Sequence, residues 1–445
     1  MFVKELPWID PAAAYKALYR GESVLLESQK NGVYSYIALN PYMKIKSKGS
    51  RIQVEGEGGS RVLFGDPLKV LEKIISERRV DRETGWPLFY SGAIGYFSYD
   101  LAHTIHGLGR SAVDDVDLAD MYLIFPSDVV SFNHLSRKTT VFSQTRGGLS
   151  EIEGVLEGAG EVEMPKPGCT MSFTSNFTWG EYREAVEKCK KHVSEGDAYQ
   201  IKLSQRFMCE LSEDPLNIYL RLRSINPSPY AAFLCLEGHW LVSCSPEHLV
   251  KVEGGRVETR PIGGTYPRGV NKQVDERLAR EFMADEKERA EHTMLIDLER
   301  NDLGRVCEYG SVEVDEFMCL ERYSHLTHIV TNIRGRLRGG ENVFTVFRSM
   351  FPGGTITGCP KIRSMQIIDE VEPNARGPYT GSIGFINFSG EMDLNIIIRT
   401  LIIKEDKGMI QVGGGVVADS NARREYDETF EKAYALFEAL GGRRK

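Results

Sequence analysis

Glu247 stands a short way ahead of a glycine-rich loop, and the residues between them decide whether carboxylate and loop can meet. Two runs, Leu249 to Glu253 and Arg256 to Arg260, carry β-branched residues at alternate positions. They flank Gly254 and Gly255, a pair suited to a two-residue hairpin turn with positive φ. If Glu253 pairs with Arg256, the ladder sets Glu247 across from Ile262, beside Gly263, Gly264 and Thr265. A carboxylate then faces exposed backbone amides over a loop thin enough for a ligand to approach closely. A surface hairpin with a solvated glutamate fits the same residues.

A second group lies near the C-terminus. Glu425, Glu428 and Lys432 fall at i, i+3 and i+7 and so share one face of a helix, while Tyr426, Phe430, Ala433 and Phe437 form its apolar face. The glycines Gly413, Gly414 and Gly415 precede it and let backbone approach a ligand. As a site, the two carboxylates would bind Mg²⁺, a hard cation that takes carboxylate oxygens and keeps water or substrate oxygens elsewhere. As a plain surface they would be a solvated stripe of ion pairs. Glu291, on a helix of its own, is a third carboxylate able to complete such a site.

Other candidates are weaker. Phe351 to Lys361, FPGGTITGCPK, spaces Gly353 and Gly358 like a phosphate loop, but Cys359-Pro360-Lys361 displaces the lysine and Pro360 removes an amide donor. A nucleoside triphosphatase is rejected. Cys359 has no base near it in sequence and reads as an inert thiol. The pairs His103/His106 and His325/His328 bring no third ligand, which argues against zinc.

The elements that must position these residues can be read more coarsely. A helix is expected around Pro67 to Arg79, another from the capping box Thr178/Glu181 to Gly196, a long helical stretch from about Asp275 to Leu298, and a last helix from near Asn421. Strand-like runs (SVLLES, YSYIAL, RIQVEG, YQIKLSQRFMCEL) alternate with them irregularly. The expected fold is α+β, a large antiparallel β-sandwich flanked by helices. The acidic, then Gly- and Pro-rich stretch 151–175 reads as a connector between an N-terminal region, 1–150, and a catalytic region, 176–445. With 445 residues, 41% hydrophobic and 27% charged, the chain can bury a large core. Its net charge of -8 gives no electrostatic footprint for nucleic acid or an anionic membrane, so an anionic substrate needs local cations or a metal. No long apolar run and no apolar leader is present, and the chain is read as cytoplasmic. Eight cysteines without a CxxC pair suit reduced, mostly buried thiols.

Taken in series, the motifs resemble the chorismate-utilising enzymes: anthranilate synthase component I, aminodeoxychorismate synthase component I, and the isochorismate and salicylate synthases. The matching stretches run in order from Ser245 to Ala433: SPEHL, RPIGGTYPRG, AEHTMLIDLERNDLGR, RYSHLTHIVTNIRG, FPGGTITGCPKIRSMQIIDEVEP, RGPYTGSIGF, MDLNIIIRT, QVGGGVVADS and EYDETFEKA. The resemblance implies that Glu247 is the general acid or base assisting departure of the ring 4-hydroxyl of chorismate. It implies that Glu291 and Glu428, with Glu425 beside them, hold Mg²⁺ against the ring carboxylate. Thr265, Tyr379, Arg399, Lys432 and the Gly413, Gly414 and Gly415 backbone would bind the substrate, and His328 would line the ring site as a catalytic residue beside Glu247.

The resemblance also bears on the reaction. Where the isochorismate and salicylate branch has a lysine that activates water, this chain has Gln200, so amination is expected rather than hydroxylation. Lys202 falls on the same strand face, and a role for it stays open. GAIGYFSYDL, PYAAFL, TITG, YTGSIGF and VGGG resemble aminodeoxychorismate synthase. Gly263, by contrast, replaces the lysine that many of those enzymes use to attack C2, a position that is small in anthranilate synthase. The expected activity is amination of chorismate to 4-amino-4-deoxychorismate. The alternatives are anthranilate synthase component I and a non-catalytic aromatic-acid-binding or regulatory subunit. No GxCxG-type cysteine occurs, which implies that ammonia comes from a separate glutamine amidotransferase subunit. Leu25 to Ser28 and Asn226 to Tyr230 resemble tryptophan-binding elements, although Ala231 and Ala232 follow where bulkier residues are usual.

Overall fold

The Gly254-Gly255 turn forms with positive φ at both residues, 56° and 77°, and Glu253 pairs with Arg256 as its register requires. The ladder does not continue in step. A β-bulge between His248 and Lys251 sets His248 opposite Arg260, one residue short of the simple register, so Glu247 does not sit opposite Ile262 on the backbone. The side chain restores the contact: the Ile262 amide donates to Glu247 Oε1 at 3.4 Å.

The computed structural model describes residues 1–30, 32–56, 58–167, 171–269, 271–322 and 326–442, with only the backbone at Thr265, Pro267 and Leu326. His325 lies outside the described residues, as does the Thr265 side chain. The fold is α+β, built on one continuous sheet whose strand ladders are antiparallel. The strand Tyr34–Lys48 is the root of two arms. One passes through Ser23–Glu27, Tyr230–Leu236, His239–Ser245, Thr400–Lys404 and Lys407–Val416 to Gln200–Glu210. The other passes through Met121–Asn133, Gly92–Phe97, Ser382–Asn387, Met392–Asn395, His248–Glu253 and Arg256–Arg260 to Leu326–Arg336. Strands from residues 1–150 are thus hydrogen-bonded to strands from 176–445 in both arms.

Several helices follow their sequence signals. Pro67–Glu77 starts at the Asp66 cap, and Trp179–Ser194 starts with the Thr178/Glu181 capping box and buries Tyr182, Ala185, Val186 and Cys189. Three differences have local causes. The expected stretch from Asp275 to Leu298 is two helices, Lys272–Ala284 and Glu286–Gly304, because the extended Asp285 accepts from the Lys287 and Glu288 amides and starts the second. The first part of the expected connector belongs to the helix Arg146–Glu157, which Thr145 caps and which buries Ile152 and Leu156. In the C-terminal helix Ala422–Ala439 the inward line is Glu425, Thr429, Ala433, Leu436 and Ala439, while Phe430 is 39% exposed. The expected apolar face is therefore rotated, and a glutamate points inward.

Candidate functional site

The two arms and the C-terminal helix meet around a cavity of 130 Å³. One arm contributes Lys202, Gly413 and Gly414 to its wall; the other contributes His328 and, from the strand Ile262–Pro267 paired with Leu326–Arg336, Gly263, while Glu247 sits in the link between His239–Ser245 and His248–Glu253. Lys432 reaches in from the helix, Tyr379 comes from the turn between the helix Lys361–Val371 and the strand Ser382–Asn387, and Arg399 from the link between Met392–Asn395 and Thr400–Lys404. Arg399 on this wall and Thr380, next to Tyr379, are non-glycine residues with positive φ, 50° and 61°. A buried ion pair fixes the Lys202 strand: Arg376 bonds Glu372 at 2.7 Å and the Lys202 carbonyl at 2.6 Å, while Glu372 accepts from the Ser204 amide at 2.8 Å.

Glu247 is 4% exposed. Burial pushes its carboxyl above the usual range, while Thr355, the Ile262 amide, Lys202 and Arg399 pull the other way. Its backbone is anchored on both sides, with its carbonyl accepting from Ile396 N at 3.0 Å and its amide donating to Ser245 Oγ at 3.3 Å. A raised carboxyl in a fixed position can hold a proton and release it to a leaving oxygen.

His328 receives a hydrogen bond from Arg399 Nη2 at 3.2 Å on its Nε2. A guanidinium only donates, so that nitrogen accepts, and a neutral imidazole there carries its proton on Nδ1. Burial, then the Arg399 charge, holds the ring well below its usual value. Neutral His328 therefore orients Arg399 and is a poor proton donor.

The carboxylates expected to hold a metal lie behind this wall. Glu291 Oε1 accepts from Gln200 Nε2 at 2.6 Å and faces Lys202 Nζ at 3.5 Å. Burial raises the Glu291 carboxyl, but Lys202 and Gln200 outweigh it and hold it below the usual range. Glu428 pairs with Lys432 at 2.7 Å, and Lys432 also donates to the Gly413 carbonyl at 2.9 Å. Glu425 is raised by burial and by Glu428, though Ser420 bonds it. A Cβ at Gly414 would lie 3.1 Å from Glu425 Oε2 and 3.9 Å from Glu428 Oε1, and one at Gly415 would fall against Gln200 and Lys202. The glycine run is thus the floor over which these groups gather. The oxygens of Glu291, Glu425 and Glu428 do not all lie within 4.8 Å of one another; His192, Glu195 and Asp197 do, but Arg363 already bonds Asp197 at 2.7 Å.

Sequence reasoning passed over Thr355 and Gln411 on the cavity wall, and Glu288, whose raised carboxyl reflects burial and then Glu291. Thr355 lies in the FPGGTITGCPK run. Lys361 of the same run is committed elsewhere, to Asp302 and to the Met350 carbonyl at 3.1 Å. His292 was also missed. It is buried with Nε2 2.7 Å from Thr331 Oγ1, and a Cβ at Gly263 would fall into its ring, 2.7 Å from Cγ. His292 thus closes position 263 to any side chain unless the ring moves.

A second cavity, of 320 Å³, is lined by Leu26, Glu27, Ser28, Pro229 and Tyr230, from the two stretches resembling tryptophan-binding elements, and by Ala231 next to them. They are brought together because Ser23–Glu27 and Tyr230–Leu236 are neighbouring strands. His248 lines this second cavity, stacked on Tyr230 at 5.2 Å, while the preceding Glu247 lines the first.

A sheet of two converging arms, closing on one buried glutamate, three cavity-facing cations and a group of carboxylates, defines an enzyme-like site for a small anionic molecule. The chain belongs to the chorismate binding enzyme family, whose match spans residues 21–438. It is 41% identical over 434 residues to aminodeoxychorismate synthase component 1 of Bacillus subtilis (strain 168), covering 95% of this chain and 92% of that one. It is 39% identical over 441 residues to anthranilate synthase component 1 of Acetivibrio thermocellus, covering 94% and 89%. The crystal structure of anthranilate synthase component I from Streptococcus pneumoniae TIGR4 superposes with a TM-score of 0.83 at 32% identity, over 96% of this chain and 97% of that one.

Proposed function

We propose that the protein aminates chorismate to 4-amino-4-deoxychorismate, with ammonia supplied by a glutamine amidotransferase subunit. The observation that carries amination is Gln200: a neutral amide bonded to Glu291 at 2.6 Å stands where the water-activating lysine of the hydroxylating enzymes is expected. An amide is no base for water. Lys202, Arg399 and Lys432 supply the positive charge that a dianion needs in a protein of net charge -8.

Glu247 in its acid form gives its proton to the 4-hydroxyl, which leaves as water as the C–O bond breaks. Ammonia forms the new C–N bond, and the ammonium so produced returns a proton to Glu247. Position 263 carries no covalent nucleophile, so the exchange proceeds without a lysine adduct there. Glu425 and Glu428 lie beside Gly414, and Glu291 is held by Gln200 and Lys202, the two groups beside Gly415; these three carboxylates are hard oxygen donors of the kind Mg²⁺ takes, and they would hold it. When bound, Mg²⁺ would neutralise a substrate carboxylate and draw electrons from the ring.

Similarity to the Bacillus subtilis protein supports this product over anthranilate. Gly263, closed by His292, and the similarity to anthranilate synthases favour the second reading, in which pyruvate is also eliminated. Incubation with chorismate, Mg²⁺ and ammonium separates them. The proposal expects no fluorescent anthranilate, and its appearance without an added lyase would select the second reading.

A further inference from the structure

Lys202, one of the cations counted above for the substrate, also faces Glu291, and the two engagements bear on each other. Strand alternation sends Gln200, Lys202 and Ser204 to one face of Gln200–Glu210; Gln200 and Ser204 are buried, whereas Lys202 keeps 19% of its side chain exposed and lines the cavity. Across the ladder Lys202 is paired with Gly415. A Cβ there would lie 2.8 Å from Lys202 Nζ and 2.5 Å from Gln200 Nε2, so the missing side chain makes room for both to reach Glu291. Both arrive at the same oxygen, Glu291 Oε1, the amide at 2.6 Å and the ammonium at 3.5 Å.

An ammonium and a divalent cation cannot share one carboxylate oxygen without repelling each other. We propose that Lys202 competes with the divalent cation for Glu291 and, when the cation displaces it, turns its charge to a carboxylate of the substrate in the cavity. The inference rests on the metal reading given above. A displaced, mostly buried ammonium must find another anion, and the cavity it lines, walled also by Arg399 and Lys432, is where a dianion would supply one. Cation binding and substrate binding are thereby coupled through one side chain, and the coupling is reciprocal.

The test uses Mn²⁺ as the metal probe, titrated by electron paramagnetic resonance into the full chain with no substrate present. Lys202→Met should bind Mn²⁺ about tenfold more tightly than wild type, because the competing charge is gone. Its KM for chorismate at saturating Mg²⁺ should rise by a similar factor. Gln200→Leu, which removes the uncharged partner of Glu291, should leave Mn²⁺ affinity within about twofold, since no charge is lost. Lys202→Gln provides the same comparison if the methionine variant fails to fold. Wild type that binds Mn²⁺ while neither Lys202 variant binds it more tightly overturns the inference alone, as does an unchanged KM. Wild type that binds no Mn²⁺ removes the metal reading and the inference together, and leaves the amination reading to its own product assay.

Discussion

At the scale of single residues, the proposed reaction asks Glu247 to act as an acid, and its burial favours the protonated form. Burial raises its carboxyl above the ordinary 4.5, and Lys202 and Arg399 limit the rise. In the proposed reaction the acid form is the active one, so kcat/KM should be highest below the raised value and fall as pH climbs through it. Glu247→Gln should lower kcat about 10²- to 10⁴-fold, the usual loss when a general acid is removed. It should also abolish that alkaline limb, and a variant that kept wild-type kcat would remove the acid role. Glu247 was legible in the sequence through the hairpin that presents it, although the bulge at His248 to Lys251 was not. A bulge depends on how both strands meet their outer neighbours, here Met392–Asn395 and Leu326–Arg336, and alternation within one strand does not encode that. Nor could spacing reveal that His292 closes position 263, since the two stand 29 positions apart and the contact is made only by packing.

At the scale of elements, the helix Glu286–Gly304 explains why hydrophobic periodicity misreads this region. Its inward residues include His292, Glu299 and Asp302 beside Leu295 and Ile296, so charge and apolarity share one face. The C-terminal helix does the same with Glu425 and Thr429. Polar residues facing inward lower the periodic signal where a site is built, and both helices flank the cavity. Glu299 gives this a thermodynamic handle. Burial, and then Asp302, pushes its carboxyl up to about 8 from an ordinary 4.5, although Lys361 opposes the shift and the Gly354 amide donates to it at 3.2 Å. Between those values the folded chain holds a proton that the unfolded chain releases. The stability from Glu299 is therefore fully present below pH 4.5 and is lost as pH rises through about 8. Glu299→Gln keeps the acceptor for Gly354 without the charge. Urea unfolding at pH 6 and pH 9 should show the variant gaining on wild type at the higher pH by on the order of 2 kcal/mol. An identical pH dependence in the two proteins would contradict the assignment.

At the scale of the whole molecule, the sheet explains why site residues so far apart in sequence converge. Residues 1–150 supply the strand from which both arms start, and the arms return Lys202 and Gly413 on one side and Glu247 and His328 on the other. The α+β class was legible, as were strands such as Ser23–Glu27, Tyr34–Lys48, Arg51–Gly56 and Gln200–Glu210, because alternation and turn residues act locally. The closing of the two arms was not, because each strand-to-strand choice is made by long-range packing. Among the described residues no helix is long and apolar enough to cross a membrane. The net charge of -8 makes the three cavity cations the local exception on which an anionic substrate would depend. What the site does with that substrate is read most directly from pyruvate. With ammonium, Mg²⁺ and chorismate, and no lyase added, a lactate dehydrogenase coupled assay should record chorismate consumed with no pyruvate released, the amino product keeping its side chain. One pyruvate for each chorismate consumed would contradict the account.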